Sequence, residues 1–294
     1  LRSRGLGDVY KRQGLKDAYK DYFSIGVAVN MQNITNPEQI AIIKKDFNSI
    51  TAENDMKPQP TEPAYGQFNW ENADKIANFC RSNGIKLRGH CLMWHAQIGK
   101  WMYQDEKGNL VSKEKLFQNM KHHITAIMER YKDVVYAWDV VNEAISDGGR
   151  PVMGQKPSPY RNSPLYQIAG DEFIKKAFIY AREADPNVLL FYNDYNAADP
   201  QKRDRIYNMV KSMKEEGVPI DGIGMQGHYN IYGPSMEDVD AALTKYSTIV
   251  KHIHITELDI RANEEMGGHL NFSREAGDIS QTVKLLQELS LIHI

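Results

Sequence analysis

The stretch VVYAWDVVNE (residues 134–143) is an apolar run of strand length that ends in an amide and a carboxylate. Such a run is typical of a strand in a parallel sheet, where both faces are buried. Six other runs share its length and character, and polar turns with amphipathic segments separate them. The seven runs span residues 23–30, 49–55, 86–95, 134–143, 188–196, 221–229 and 252–260.

The segments between these runs show the periodicity of helices. Over residues 112–133 the apolar side chains recur every three or four positions, which predicts a helix with one buried face. Asn36 and Asp199 each precede a proline, an arrangement that favours a capped helix start. The apolar series is Leu116, Met120, Ile124, Ile127 and Tyr131.

Alternating strands and helices fit either a closed (β/α)8 barrel or an open doubly wound sheet. No glycine-rich phosphate loop follows the first run, so the nucleotide-binding form of the open sheet lacks its main signature. Polar and aromatic residues collect instead at the ends of several runs, where a barrel places its active site. We therefore predict a (β/α)8 TIM barrel. The run-end residues are Asn30, Glu53, Asn54, Trp94, His95, Asn142, Glu143, Tyr195, His228 and Glu257.

The composition argues against several classes of binding partner. The 294 residues carry a net charge of −2 and are 41% hydrophobic, so neither nucleic acid nor an anionic membrane is expected as a partner. No run approaches the roughly 20 apolar residues that span a bilayer. Cys80 and Cys91 are the only cysteines, and we expect two buried thiols. We expect a monomer without a cofactor.

The nine histidines raise the possibility of a metal site. His252 and His254 share one face of a strand, as in some metal hydrolases, but no helix-borne His-Glu-x-x-His pattern accompanies them. His122 and His123 lie on adjacent faces of a predicted helix, a poor chelating geometry. We expect no metal.

Two glutamates carry the functional prediction. Glu143 ends the fourth run, and Glu257 stands in a similar position in ITELDI. The mouths of strands four and seven face each other across an eight-stranded barrel. Two carboxylates that flank a sugar catalyse glycoside hydrolysis, with retention of configuration when they are roughly 5 Å apart. A lone glutamate of this kind is more often a rim charge, but a pair among polar aromatic residues favours catalysis.

Six blocks make the sequence resemble glycoside hydrolase family 10 endo-β-1,4-xylanases over residues 15–286. In order they are TAENDMKP, LRGHCLMWHAQIGKW, WDVVNEAISDGG, FYNDYN, GIGMQGHY and ITELDI. The resemblance implies retaining hydrolysis of xylan and xylo-oligosaccharides, with Glu143 as general acid/base and Glu257 as nucleophile. We expect His228, backed by Asp259, to keep Glu257 ionised, and Asn142 to bond the 2-hydroxyl of the attacked sugar.

The remaining matched positions imply a row of sugar-binding side chains. The indole of Trp94 is expected to stack on a sugar, although a core position for it is the alternative. Lys57 is expected to contact sugar hydroxyls, or otherwise to pair with Glu53. The implied substrate-binding residues are Glu53, Asn54, Lys57, His90, Trp94, Gln97, Tyr195 and Gln226.

Both ends of the chain depart from the family pattern. Residues 1–13 and 289–294 resemble foreign sequence, which leaves a catalytic domain at residues 14–288. A helix is expected at residues 278–290, and the barrel is expected to be truncated before a tryptophan-rich eighth strand. We therefore expect a longer chain to be more active. The family also implies that the parent protein is secreted, periplasmic or on the cell surface.

Three other functions remain open at this point. A β-1,4-glucanase of the same barrel type would share both glutamates. A xylan-binding fragment with weak catalysis would follow from the truncation. A metal-dependent barrel hydrolase is the third. The segment at residues 148–164, rich in glycine and proline, is expected to shape the leaving-group side of the groove.

Overall fold

The computed structural model describes residues 13–148 and 158–261, whose strands form one large sheet and one small sheet. Neighbouring strands are parallel throughout the large sheet, and their spatial order follows their order in the chain. The order is β1-β2-β3-β4-β5-β6-β8. The strands are β1 (Gly26–Val29), β2 (Ser49–Ala52), β3 (Lys86–Trp94), β4 (Val135–Asn142), β5 (Leu189–Asp194), β6 (Gly222–Met225), β7 (His228–Asn230), β8 (His252–Ile255) and β9 (Asp259–Arg261).

Helices occupy the connections between the strands, and their ends follow the predicted signals. The side chains of Asn36 and Asp199 each accept two backbone hydrogen bonds at a helix start. The five apolar residues of the predicted stripe are fully buried along one helix. The helices are α1 (Leu15–Ala18), α2 (Pro37–Asp46), α3 (Pro58–Thr61), α4 (Glu71–Asn83), α5 (Lys113–Tyr131), α6 (Pro164–Ala169), α7 (Glu172–Ala184), α8 (Pro200–Glu215) and α9 (Met236–Ser247), with a 3-10 turn at Lys100–Met102.

A contact between β3 and β8 shows that the large sheet is curved. Nε of Arg88 lies 3.4 Å from Nδ1 of His254, although three strands separate β3 from β8 in the sheet. In a flat sheet the two strands would be about 19 Å apart, at roughly 4.8 Å per strand. The sheet therefore curls into the wall of a barrel, and the (β/α)8 prediction is confirmed.

Several expectations lie outside the described residues. They concern residues 1–12 of the foreign segment at residues 1–13, residues 149–157 of the segment at residues 148–164, the helix at residues 278–290, the tail at residues 289–294 and the absence of an eighth strand.

The prediction of single strands at residues 221–229 and 252–260 is wrong, because both runs break in the middle. The first breaks at Gly227, whose φ of +83° turns the chain out of the large sheet. The second breaks after Ile255. The continuations, β7 and β9, form a separate parallel pair in which His228 stands opposite Asp259. This small sheet brings two of the predicted site residues together.

Three findings bear on the expectations about cysteines, membranes and metal ions. Cys80 and Cys91 are free and buried, as predicted, and burial raises the pKa of the Cys80 thiol to about 12. Across residues 13–148 and 158–261, none of the helices combines the length and apolarity needed to cross a bilayer. In that same part of the chain, no three His, Cys, Asp or Glu side chains cluster as a metal ion would require.

A close contact between neighbouring strands packs the sheet near its centre. Gly89 of β3 pairs with Trp138 of β4, and the indole covers the glycine. A Cβ at position 89 would lie 2.2 Å from the nearest ring carbon, well inside van der Waals contact. Since Trp138 is only 1% exposed, its ring has no free space into which to move. Glycine is therefore required at position 89.

Replacement of Gly89 with alanine should destabilise the protein by about 1–3 kcal/mol or more, because it overpacks a filled interior. Gly26→Ala provides the matched control: it also lies in a barrel strand, and its added Cβ would meet its nearest neighbour at an ordinary 3.5 Å. Thermal unfolding measures both variants. The packing argument would fail if the two melting temperatures fell by the same amount.

Candidate active site

Two glutamates lie at the carboxyl ends of barrel strands. Glu143 directly follows β4, and Glu257 lies in the break between β8 and β9. Both side chains are partly buried. Their backbone amides donate to the chain of a neighbouring strand, Glu143 to the carbonyl of Asn193 and Glu257 to that of Gln226. Hydrogen bonds to neighbouring strands therefore fix the backbone positions of both glutamates.

The Glu143 carboxylate accepts two hydrogen bonds from neutral donors. Nε1 of Trp94 lies 2.8 Å from Oε2, and Nε2 of Gln226 lies 3.0 Å from Oε1. Its backbone adopts φ +57°, a left-handed conformation that is uncommon for a residue with a side chain. This turn directs the carboxylate away from the line of β4 and towards the ends of β3 and β6.

The Glu257 carboxylate lies beside a cation. Nε2 of His228 lies 3.1 Å from Oε2, Nδ2 of Asn193 lies 3.0 Å from Oε1, and Nδ1 of His228 is 2.5 Å from Asp259. The hydrogen bond with Glu257 raises the pKa of His228 to about 9; burial opposes the rise and Asp259 adds to it. Burial by itself would raise the pKa of Glu257, but His228, His90 and Asn193 outweigh it and lower the pKa.

The expected partners of Glu257 are therefore in place, although for a different reason than strand periodicity. Strand periodicity would place Glu257 and Asp259, which are two residues apart, on one face of a continuous strand. The strand instead breaks between them, and Asp259 reaches His228 through the pairing of β7 with β9.

Side-chain amides connect the two carboxylates. Oδ1 of Asn142 accepts from Nδ2 of Asn193 at 3.0 Å and from Nε2 of Gln226 at 3.2 Å. Gln226 also donates to Glu143, and Asn193 also donates to Glu257. An unbroken series of hydrogen bonds therefore connects the two carboxylates. We call Asn142, Asn193 and Gln226 the amide chain.

A second group of predicted residues lines the ends of β2 and β3. Nζ of Lys57 donates to Oδ1 of Asn54 at 2.8 Å and lies 4.9 Å from the centre of the Trp94 ring. Nε2 of Gln97 approaches the same Asn54 oxygen at 3.5 Å. Lys57 thus bonds Asn54, and not Glu53 as the alternative held. Trp94 is partly exposed beside Glu143, and its stacking on a sugar stays a prediction.

Glu53 and His90 occupy the edges of this group. The exposed Glu53 accepts from Asn30 at 3.3 Å. Nδ1 of His90 lies 2.9 Å from Asp139, which also forms two 2.5 Å hydrogen bonds with Arg88. Burial tends to raise the pKa of Asp139, but Arg88 dominates and the pKa falls to about 2. The anionic Asp139 fixes the His90 ring and leaves Nε2 as the nitrogen that can face the mouth of the barrel.

Beneath the mouth, the half-buried His254 stays neutral. Burial, followed by the charge of Arg88, lowers the pKa of His254 to about 3. Its ring stacks on Phe191 with centroids 4.2 Å apart, and Nδ1 faces the Arg88 guanidinium. His254 is therefore part of the barrel packing.

Tyr195 has other contacts than those expected of a subsite floor. Its hydroxyl donates to Asp147 and accepts from Nη2 of Arg161 at 2.7 Å, and Nζ of Lys202 lies 3.4 Å from its ring centre. Nε of Arg161 donates to the carbonyl oxygen of Glu143 at 2.9 Å. Tyr195 thus belongs to a charged cluster behind the acid/base candidate, and its contact with substrate stays a prediction.

Sequence reasoning missed Asn193 and Arg161. Asn193 stands within FYNDYN at the end of the fifth run, so its position at a strand end was a usable signal. Arg161 lies in a long connection with no periodicity, and nothing in the sequence indicated that it returns to β4.

The sequence pattern of glycosyl hydrolase family 10 matches residues 14–293. The chain belongs to glycosyl hydrolase family 10. This membership confirms the resemblance drawn from the six blocks.

Relatives within family 10 carry xylanase names. The endo-1,4-beta-xylanase/feruloyl esterase of Xylanibacter ruminicola is 59% identical over 281 residues, or 94% of this chain and 39% of that protein. Thus the chain spans well under half the length of that relative. A psychrophilic family 10 endo-beta-1,4-xylanase superposes with a TM-score of 0.87 at 67% identity, covering 94% of this chain and 85% of that one.

A second similar structure comes from Paenibacillus barcinonensis. Its xylanase XynB, complexed with a conduramine derivative, superposes with a TM-score of 0.86 at 39% identity, covering 94% of this chain and 81% of that one. The curved sheet is therefore shared at widely different levels of identity.

The raised pKa of His228 predicts a pH-dependent stability. Because this pKa lies above its ordinary value of 6.5, the stabilisation by protonated His228 is fully present below about pH 6.5 and is lost as the pH rises through about 9. The melting temperature of the wild type should fall across this window more than that of His228→Gln. Parallel curves for the two proteins would contradict the assignment.

The same substitution should move the pH profile of catalysis. Without the cation at position 228, the pKa of Glu257 rises, and the acidic limb of kcat/KM shifts to higher pH. Asp259→Asn should shift the limb in the same direction by less, since it acts on Glu257 only through His228. A limb that does not move in His228→Gln would contradict the role of this cation.

Proposed function

We propose that the chain carries the catalytic barrel of a retaining endo-1,4-β-xylanase that cleaves xylan and xylo-oligosaccharides. The proposal rests on one observation: two carboxylates lie at one mouth of the sheet with opposite hydrogen-bond environments. Glu257 faces a cation, whereas Glu143 faces neutral donors. The names of the family 10 relatives support the choice of xylan.

Glu257 is the nucleophile of the first step. Its carboxylate attacks the anomeric carbon and forms a glycosyl-enzyme ester, while Glu143 gives its proton to the departing glycosidic oxygen. A nucleophile must be ionised, and the lowered pKa of Glu257 supports this role. His228 and Asn193 each hold one oxygen of the carboxylate, so a defined lone pair faces the sugar.

Glu143 acts as general base in the second step. After giving up its proton, it is a carboxylate that accepts from Trp94 and Gln226. It then takes a proton from water, and the resulting nucleophile hydrolyses the ester on Glu257. The second displacement restores the original configuration and returns the proton to Glu143.

Asn142 orients the sugar under attack. Both hydrogen bonds of the amide chain fall on its Oδ1, so Nδ2 is the group left to donate to the 2-hydroxyl. Such a bond strengthens as the ring approaches the oxocarbenium-like transition state. We assign further sugar contacts to the group at the ends of β2 and β3. Its members are Glu53, Asn54, Lys57, His90, Trp94 and Gln97.

Because polymeric xylan does not cross a membrane, we propose that the parent protein is secreted, periplasmic or on the cell surface. The β-1,4-glucanase and the catalytically weak xylan-binding fragment become outcomes of the following test.

Purified wild type, Glu257→Ala and Glu143→Ala should be assayed for reducing-sugar release from xylan and from carboxymethyl-cellulose. We expect activity on xylan in the wild type, none in Glu257→Ala and a loss of about 10²–10⁴-fold in Glu143→Ala. Faster release from carboxymethyl-cellulose would favour the glucanase. Xylo-oligosaccharide binding without turnover would identify a binding fragment.

Stereochemistry tests the mechanism separately. In proton NMR of xylo-oligosaccharide hydrolysis, the β-anomer should appear first and the α-anomer only through mutarotation. Initial formation of the α-anomer would overturn the double displacement. Activity that persists in Glu257→Ala would overturn the nucleophile assignment.

A further inference from the structure

The backbone of Glu143 is held in an uncommon conformation. At φ +57° it is one of three residues other than glycine with positive φ in the described parts of the chain. The amide of Glu143 bonds the carbonyl of Asn193 on β5. The left-handed turn directs its carbonyl oxygen out of the strand ladder, and that oxygen needs another donor.

Arg161 supplies the donor. Nε of Arg161 lies 2.9 Å from the Glu143 oxygen, and the backbone amide of Arg161 donates to the carbonyl of Ala144 at 2.8 Å. A single β-bridge between Ile145 and Tyr160 aligns the two segments. Arg161 thus grips the two residues that follow β4 through both its side chain and its backbone.

The guanidinium is itself fixed from behind. Nη2 donates to the Tyr195 hydroxyl at 2.7 Å, and this hydroxyl donates to Asp147. Asp147 in turn accepts from Nζ of Lys202 at 2.7 Å, and Lys202 also pairs with Asp194 at 2.9 Å. Lys202 is 1% exposed and Asp194 is fully buried. The cluster therefore connects the carboxyl end of β4 to buried charges.

We propose that Arg161 is a positioning residue for the proton-transfer steps: by holding the carbonyl of Glu143, it maintains the backbone turn that places the carboxylate over the scissile bond. This inference rests on the assignment of Glu143 as general acid/base. This role requires no contact between Arg161 and the substrate, because Arg161 acts only through Glu143.

The consequence is a selective defect when Arg161 is lost. A misplaced acid slows only those substrates whose leaving group needs a proton. An activated leaving group, such as 2,4-dinitrophenolate, departs without one, so its departure does not depend on the position of Glu143. A displacement of about 1 Å in a catalytic group can cost on the order of 10²-fold.

The test compares Arg161→Gln with the wild type on two aryl xylobiosides, one with a phenyl and one with a 2,4-dinitrophenyl leaving group. Values of kcat/KM report the first chemical step in both cases. We expect a loss of about 10- to 100-fold on the phenyl substrate and less than about threefold on the dinitrophenyl substrate. Equal losses on both substrates would overturn the proposal.

Arg182→Gln is the matched control. The Arg182 side chain is 26% exposed against 25% for Arg161, and it likewise donates to backbone carbonyls and pairs with a carboxylate, Asp221. It stands at the opposite end of the barrel, before β5. It should reduce stability without any dependence on the leaving group. A leaving-group dependence in Arg182→Gln equal to that in Arg161→Gln would also overturn the proposal.

Two further variants separate the possible failures. Tyr195→Phe removes the hydroxyl that fixes Arg161 and keeps the ring on Lys202; it should show the same selectivity with a smaller loss, even if Arg161→Gln folds poorly. Glu143→Ala should show the full selectivity, and azide should restore turnover of the dinitrophenyl substrate. If Glu143→Ala showed neither the leaving-group selectivity nor the rescue by azide, the acid/base assignment would be overturned. A normal Glu143→Ala result with an unselective Tyr195→Phe would overturn only the role of Arg161.

Discussion

The parallel register of β4, β5 and β6 is the constraint on which the site depends. Asn142 and Asn193 face each other in that register, and Gln226 directly follows β6, so the amide chain forms only while these strands stay aligned. A slip of one residue would send every side chain of a strand to the opposite face. Because the amide chain ends on Glu143 and Glu257, the backbone ladder determines how two carboxylates that are far apart in the sequence are oriented towards each other.

Charged side chains lie buried directly beneath this mouth, and each has a partner of opposite sign. Arg88 pairs with Asp139, and Lys202 pairs with Asp194. An ion pair of this kind adds little net stability, since desolvation offsets attraction, but the loss of one partner leaves a costly unpaired charge. The pairs therefore act chiefly as fixed references: Asp139 orients His90, and Lys202 anchors the cluster that reaches Arg161.

The sequence predicted the architecture and both carboxylates because these leave local signals. An apolar run that ends in Asn142 and Glu143 is visible without any knowledge of tertiary structure, and so are the caps at Asn36 and Asp199. The breaks at Gly227 and after Ile255 were not predicted, since runs 221–229 and 252–260 look continuous. The hydrogen bond from Arg161 to the carbonyl of Glu143 also could not be predicted from the sequence. It forms where a connection without periodicity folds back onto the end of β4.

The contact between Gly89 and Trp138 also affects how the sequence can vary. The indole fills the space that a side chain at position 89 would need, and removal of the indole would leave a cavity beside the glycine. A substitution at either position by itself therefore lowers the stability of the protein. Substitutions that fail singly can succeed together, which makes positions 89 and 138 an epistatic pair that a family or a mutant library must change in concert.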